Sequence, residues 1–253
     1  PAVAWTGAAY FVAWADDRER GVRHEDARVV YGRVVDPDGM LGAELRLGDD
    51  TLFQTYPQVS TCGTRVLVAW ADYVVGAGGV LVTQYRGRIL DAGTATPVAA
   101  PFLIAAIPGL PPDPPGVACD DGAAAWRIAW TAAGPPSIRQ IGTARVSSDG
   151  AVTDARTITD RADGGLAPRL ARVWGTGGWA LSLHAQDTYF GYVTELDGSG
   201  TPIGTTLTLT DGSPRIGTFW TSIAASRSAP EVLVLTTLDY DRIGATVLRA
   251  VGP

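Results

Sequence analysis

One short phrase recurs along this chain and limits the folds that it can adopt. The phrase reads FVAWAD, LVAWAD and RIAWTA in its clearest copies, and ALSLHA and VLVLTT in two weaker ones. The fourth letter of each copy defines an anchor position, and consecutive anchors lie between 52 and 60 residues apart. The five anchors are Trp14, Trp70, Trp130, Leu183 and Leu235. A fixed period of this length is typical of a repeat architecture.

Every anchor segment has the same kind of neighbours. A short run such as PAVAW or YPQVSTCG precedes it, and a third run such as VVYGRVVDPDG or IGTARVSSDG follows it. Four of the copies continue into a fourth run: GAELRLG, VAAPFLIA, ARTITD and GTTLTLT. These runs are short, β-branched or alternating, and have no helical period, so each indicates a β-strand. The last copy shows only three such strands.

A period of about 50 residues with four strands per repeat predicts a β-propeller. We therefore expect an all-β, five-bladed propeller of four-stranded antiparallel blades, in a single domain covering 1–253. The expected blades span about 1–55, 56–111, 112–164, 165–213 and 214–253. The chain begins at an innermost strand and ends after a third strand. Either the last blade lacks its outer strand or the chain is a fragment.

The three tryptophans among the anchors have a structural interpretation and a functional one. A stack of sheets needs a bulky side chain at one position of each second strand, so we predict that Trp14, Trp70 and Trp130 are buried between blades. If the three indoles were instead exposed on one face, they would form a stacking platform for sugars.

The repeat pattern P-x-V-A, V-A-W-x-D, Y-G-R-V and D-G resembles the repeats of secreted bacterial β-propeller proteins. That resemblance implies an extracellular or periplasmic location. The number of blades also resembles that of the five-bladed lectins and the five-bladed glycosidases. This second likeness concerns the fold, and a fold does not determine a function.

Composition excludes some partners. The net charge is −6 and the basic residues are scattered, which argues against nucleic acid as a partner. No stretch approaches ~18 consecutive apolar residues, so we expect no membrane insertion. Oligomeric state stays open. Cys62 and Cys119, the only cysteines, end the innermost strands of neighbouring blades and permit one disulfide. Their strands align one residue out of register, which leaves the pairing open.

Candidate binding residues follow from where the long loops lie. The loops between second and third strands and the connections between blades lie at one face, and long loops on a rigid scaffold commonly carry binding sites. The predicted ligand-binding residues are Asp16, Asp17, Arg18, Asp72, Tyr73, His184, Asp187, Tyr240 and Asp241. The alternative is that the aspartates and the arginine only hold their loops by hydrogen bonds.

The sequence carries no recognisable catalytic motif. A glycosidase needs two carboxylates across the bond, and the innermost strands carry almost none. His24 and His184 are the only histidines, so a three-histidine metal site is impossible in one chain. We predict no metal and no cofactor. The sequence favours a non-catalytic extracellular binding module for a glycan or a protein surface. The alternatives are a carbohydrate-active hydrolase or lyase with loop carboxylates, and a structural repeat of a larger surface protein.

Overall fold

The structure, a computed structural model, describes most of the 253-residue chain. The described residues are 1–20, 27–49, 53–120, 124–134, 138–158, 165–184, 191–209, 221–226, 228–239 and 242–249. The chain divides into two compact units. Unit 1 comprises Pro1–Trp126 and Arg145–Thr153, and unit 2 comprises Arg127–Ala144 and Asp154–Pro253.

The described strands form five antiparallel sheets. Sheet 1 contains β1 (Ala2–Trp5), β2 (Tyr10–Asp16), β3 (Val29–Val35) and β4 (Leu41–Arg46). Sheet 2 contains β5 (Gln54–Cys62), β6 (Arg65–Val75), β7 (Leu81–Asp91) and β8 (Phe102–Pro108). Sheet 3 contains β9 (Gly116–Asp120), β10 (Ala125–Ala133), β11 (Arg139–Ser147) and β12 (Val152–Thr157). Sheet 4 contains β13 (Leu166–Arg172), β14 (Trp179–His184), β15 (Gly191–Leu196) and β16 (Pro202–Thr208), and sheet 5 contains β17 (Thr221–Ala225), β18 (Glu231–Asp239) and β19 (Arg242–Arg249).

Strands that are consecutive in sequence are neighbours in every sheet. Sheets 1 to 4 have four strands, and the described part of sheet 5 has three. The prediction of an all-β, five-bladed β-propeller fold is confirmed. The only helical element among the described residues is the single 3-10 turn Ala77–Gly79. The residues that the structure describes include no helix that could span a lipid bilayer.

In unit 1, the core lies between sheets 1 and 2. Phe11 and Ala13 of β2, with Leu47 directly after β4, pack with Val68 and Trp70 of sheet 2 in one buried cluster. Successive residues of a strand point to opposite faces, so alternate residues of β2 and β6 supply this cluster. Sheets of a propeller bury their apolar faces against each other in this way.

The anchor tryptophans do not all share one environment. Trp70 is fully buried and Trp130 is 5% exposed, as predicted. Trp14 is only half-buried, which differs from the prediction. The reason is that Ala13 points towards sheet 2, so its neighbour Trp14 points to the opposite face of sheet 1. Trp70 occupies in sheet 2 the position that Trp14 occupies in sheet 1, but the face of sheet 2 that carries Trp70 packs against sheet 1.

In unit 2, a glycine makes room for the third anchor. A β-carbon added at Gly142 would lie 2.4 Å from the indole ring of Trp130, so only glycine fits there. A second core cluster joins sheets 4 and 5, and it contains Val173, Val193 and Val232. Burial of such apolar side chains is the main favourable term in the stability of the unit.

The two cysteines of unit 1 form a disulfide. Cys62 ends β5 and Cys119 lies in β9, with their Cα atoms 5.1 Å apart. The bridge therefore connects the innermost strand of sheet 2 to that of sheet 3 across 57 residues of sequence.

Candidate functional site

Several polar residues of unit 1 lie at one edge of sheets 1 and 2. Strands β2, β4 and β6 end at this edge, and β3, β5 and β7 begin there. The edge therefore carries the loops between second and third strands and the connection from sheet 1 to sheet 2. We call it the loop edge. Side chains at strand ends and in loops are held by the sheets beneath them, which suits a binding surface.

Asp16 and Arg18 form a closed network at the loop edge. Asp16 accepts hydrogen bonds from the Arg18 side chain at 2.5 Å, the Arg18 backbone N–H at 2.8 Å and Trp14 Nε1 at 3.3 Å. Arg18 also reaches Glu44 at 2.6 Å and lies 4.6 Å from the centre of the Tyr31 ring. The Arg18 hydrogen bond lowers the pKa of Asp16 to about 2. Asp16 is therefore a fixed anion near neutral pH and cannot serve as a general acid.

The residues beside this network also hold the loop. The carbonyl of Asp17, whose side chain is exposed, accepts a hydrogen bond from the Arg20 backbone N–H at 2.8 Å and closes a turn. Glu19 accepts hydrogen bonds from the Tyr31 hydroxyl and from Arg46 Nε, the latter at 3.1 Å. These contacts match the alternative in which the charged residues of the first loop hold the loop on its sheet.

A second group of polar residues lies where sheets 1 and 2 meet at the loop edge. We call it the Arg86 cluster, and it consists of Asp49, Gln54, Asp72 and Arg86. Arg86 Nη1 lies 2.6 Å from an Asp49 oxygen and 3.7 Å from an Asp72 oxygen. The Asp49 side chain is 35% exposed, whereas that of Asp72 is fully buried. One guanidinium thus bridges a partly exposed carboxylate and a buried one.

Gln54 fixes the position of Asp49 in this cluster. Its side-chain oxygen accepts a hydrogen bond from the Val30 backbone N–H at 2.9 Å. Its amide nitrogen donates to the Asp49 carbonyl at 3.1 Å and to the Asp49 carboxylate at 3.3 Å. A β-carbon added at Gly48 would lie 1.7 Å from the Gln54 side-chain oxygen, so the tight packing of the amide requires glycine there.

Two tyrosines lie near the start of β5, Tyr56 within β5 and Tyr73 in β6. Tyr56 is 41% exposed and has a φ of 52°, a conformation that bulky residues rarely adopt. The pairing of β5 with β6 is irregular between Thr55 and Gln58, so Tyr56 lies in a bulge. Bulges and strained residues cluster at functional sites. Tyr73 is half-buried, and its backbone N–H donates to the Phe53 carbonyl at 2.8 Å.

The remaining predicted site residues belong to unit 2. His184 ends β14, is half-buried, and pairs with Leu166 and Gly191 of the neighbouring strands. Asp187, Tyr240 and Asp241 lie outside the described residues, as does His24. In unit 1 the structure thus brings Asp72 beside Asp49 and Arg86, and holds Asp16 beside Arg18. The functional role predicted for these residues stays a prediction.

Sequence reasoning did not single out Asp49, Gln54, Arg86 or Tyr56. Asp49 follows a fourth strand in the connection LGDD, and Tyr56 precedes a proline inside a strand. A tyrosine followed by a proline at the start of an innermost strand is the sequence feature that indicates a bulge there. Within the described part of the chain, no group of three or more His, Cys, Asp or Glu residues could hold a metal ion.

Solved structures of the same fold include glycoside hydrolases. The chain aligns over 98% of its length with Trypanosoma rangeli sialidase, with a TM-score of 0.59 and 12% identity, and covers 46% of that chain. It aligns over 98% with Penicillium chrysogenum α-L-arabinanase complexed with arabinobiose, with a TM-score of 0.62 and 8% identity, and covers 80% of it. It also aligns over 98% of its length with the GH43_1 enzyme from Xanthomonas citri complexed with xylotriose. In that comparison the TM-score is 0.52, the identity is 13%, and the chain covers 86% of the enzyme.

Sequence comparison adds no family. No protein-family model matches the chain, and no curated protein matches it in sequence. At the identities found among the solved structures, the similarity shows the fold alone. This chain therefore has the β-propeller fold that these carbohydrate-active hydrolases share.

Proposed function

We propose that the protein acts on carbohydrate as a glycoside hydrolase, and that the glycan contacts the loop edge of unit 1. The observation that carries the proposal is the partly exposed Asp49 carboxylate, which Arg86 Nη1 holds at 2.6 Å while the buried Asp72 lies 3.7 Å from the same nitrogen. Glycoside hydrolysis generally depends on carboxylates held close to the scissile bond. Solved structures of the same fold support the substrate class, since they include a sialidase, an arabinanase complexed with arabinobiose and a GH43_1 enzyme complexed with xylotriose.

The exposed and buried members of the pair have different roles. Asp49 is the carboxylate that a sugar can reach, so it is the candidate base or nucleophile. Asp72 cannot touch a bound sugar, because its side chain is fully buried, and it acts as a positioning residue through Arg86. The ion pair with Arg86 holds the Asp49 side chain in place at the loop edge. The exposed ring of Tyr56 offers an apolar face on which a sugar can pack.

A second candidate function is glycan binding without turnover. The observation that favours it is that Asp16 is held as an anion by Arg18 and Asp72 is buried. Asp49 is then the one exposed carboxylate of the Arg86 cluster, whereas hydrolysis also needs a proton donor on the leaving-group side. In both candidates we propose an extracytoplasmic location, because a disulfide persists in oxidising compartments.

One experiment separates the two candidates. The purified chain is assayed for binding and for hydrolysis of α-L-arabinan, xylotriose and a sialoside, with Asp49→Asn as the test variant and Asp38→Asn as the control. Asp38 is exposed in the turn between β3 and β4, at the edge of sheet 1 opposite the loop edge. A hydrolase loses about 100-fold or more of its rate in Asp49→Asn and keeps it in the control.

The other outcomes are equally decisive. Binding of one glycan with no hydrolysis by the wild type would support the second candidate. Hydrolysis that survives unchanged in Asp49→Asn would overturn the site. No binding and no hydrolysis of any glycan would overturn both candidates.

A further inference from the structure

The hairpin between β6 and β7 extends beyond the rest of the loop edge. Strand β6 continues five residues past Trp70, to Val75, whereas β2 ends two residues past the equivalent anchor, at Asp16. The pairing of β6 with β7 is regular along the whole of β6. At about 3.4 Å per residue, the last paired residues lie about 10 Å beyond Asp72. The hairpin therefore forms a wall beside the Arg86 cluster.

One face of this hairpin carries an apolar row next to the cluster. Because the pairing is regular, alternate residues of β6 keep to one face, and Trp70, Asp72 and Val74 point towards sheet 1. Val74 pairs with Val82, and Val82 pairs with Pro108 of β8. We call these three paired residues the apolar row. Its two valines are half-buried, and the row lies about 7 Å along the strands from Asp72.

The tip of the hairpin holds Val82 in place. The Gly76 N–H donates to the Val80 carbonyl at 2.8 Å, and the Gly79 N–H donates to the Gly76 carbonyl at 3.2 Å, so the turn is closed. Gly79 has a φ of 78°, which favours glycine. A β-carbon added at Gly76 would lie 2.9 Å from Val82 Cγ2, so the valine packs on bare backbone. A wall fixed in this way loses little freedom when a ligand binds to it.

The hairpin differs in charge from the loop that faces it on sheet 1. The segment 73–83 reads YVVGAGGVLVT and has no charged residue, whereas 16–20 reads DDRER. Gln84 is half-buried and pairs with Asp72, so its amide lies in the row below the apolar row. An amide supplies both a hydrogen-bond donor and an acceptor without a charge. The wall therefore combines an apolar surface with a neutral polar group, which suits the C–H face and the hydroxyl groups of a sugar.

The arginines of the loop edge do not favour an acidic sugar. Arg86 Nη1 already lies 2.6 Å from Asp49 and 3.7 Å from Asp72. Arg18 pairs with Asp16 at 2.5 Å. The carboxylate of an acidic sugar would therefore meet the Asp49 carboxylate as a like charge, and like charges at short distance repel each other. A neutral sugar meets no such repulsion.

We propose that the apolar row determines the specificity of the glycan site, and that it selects neutral sugars. The C–H face of a sugar packs against Val74 and Val82 while Gln84 hydrogen-bonds a hydroxyl group. Removing these apolar surfaces from water is favourable, whereas the same contact would strip water from the charge of an acidic sugar. The inference rests on the proposed function, because it concerns the sugar that Asp49 would reach.

Two double variants change one face of the hairpin at a time. Val74→Thr with Val82→Thr alters the face that points to the site. Val75→Thr with Leu81→Thr alters the opposite face, where these side chains are 64% and 42% exposed. Threonine is well suited to β-strands, so both double variants should fold, which circular dichroism checks. Calorimetric titration with arabinobiose should show about a tenfold loss of affinity in the first, the equivalent of two buried methyl groups, and none in the second.

A neutral and an acidic sugar test the selectivity. The wild-type chain is titrated with arabinobiose and, separately, with sialyllactose over the same concentrations. We expect arabinobiose to bind and sialyllactose to give no saturable signal. Sialyllactose that binds as tightly as arabinobiose, or more tightly, would overturn the inference.

Asp49→Asn in the same titrations separates this inference from the proposed function. If Asp49→Asn weakens arabinobiose binding while the two double variants bind it equally well, the apolar row has no role and the inference is wrong, although the proposed site stands. If the wild type binds neither sugar, the proposed function and the inference are both wrong.

Discussion

Replacing Trp70 by alanine should cost about 3 to 5 kcal/mol of unfolding free energy, the usual range for an aromatic side chain deleted from a core. Trp70 is fully buried and packs with Phe11, Val68 and Leu47 between sheets 1 and 2. Its indole N–H is also buried and has no hydrogen-bond acceptor among the described residues. Trp70→Phe removes that unsatisfied donor, which recovers about 1 to 3 kcal/mol and offsets the smaller loss of packing. We therefore expect Trp70→Phe to cost about 1 kcal/mol or less.

The assay is equilibrium unfolding in urea followed by circular dichroism. A slope of about 1 to 3 kcal/mol/M makes the midpoint shift of Trp70→Ala about 1 M or more. Trp14→Ala is the matched control, because Trp14 occupies the equivalent position but is only half-buried. The Trp14 ring stacks on the Tyr31 ring with the ring centres 6.2 Å apart. Trp14→Ala should therefore cost about 1 to 2 kcal/mol of unfolding free energy. Equal losses for the two alanine variants, or a larger loss for Trp70→Phe than for Trp70→Ala, would refute the packing argument.

Three further predictions follow from unit 1. Because the pKa of Asp16 is lowered to about 2, its ion pair stabilises the fold above about pH 4, and the stability is lost as the pH falls from 4 to 2. We expect Asp16→Asn to reduce the loss of unfolding free energy between pH 4 and pH 2 by on the order of 1 kcal/mol, measured by urea unfolding at each pH. A pH dependence identical to that of the wild type would contradict this prediction. Reduction of the disulfide, which spans 57 residues, should cost about 4 kcal/mol in urea unfolding, and an unchanged midpoint would contradict it. Gly48→Ala should displace the Gln54 amide and cost about 1 to 3 kcal/mol, while Gly42→Ala, whose added β-carbon meets its nearest neighbour at 3.4 Å, should be close to neutral in the same experiment.

The fold could be predicted because its signal is local and repeated. Each strand shows its own alternation, and five copies of the same order of strands leave few architectures. Burial of Trp70 and Trp130 follows from the same repeat. The half-exposure of Trp14 does not, because burial depends on which sheet packs against a given face. The sequence of one blade does not specify which sheet packs against each of its faces.

The Arg86 cluster could be predicted only in part. Asp72 was found from its position after an anchor, but its complete burial depends on Gln54, Asp49 and Arg86. These residues come from two other strands and a connection, and their meeting depends on strand register. The bulge at Tyr56 is a further local departure from regular pairing, and a single tyrosine–proline step does not specify it. The sequence therefore does not predict contacts between polar residues that come from different strands.

The most direct test of the central claim is to map a bound sugar on the chain. Arabinobiose is titrated into isotope-labelled protein, and the backbone amide resonances are assigned and followed by NMR. We predict that the largest shifts fall on Asp49, Tyr56, Tyr73 and Arg86 at the loop edge of unit 1, and that Asp49→Asn weakens the response. Saturable shifts confined to unit 2, or shifts at the loop edge that are unchanged in Asp49→Asn, would contradict the proposed site.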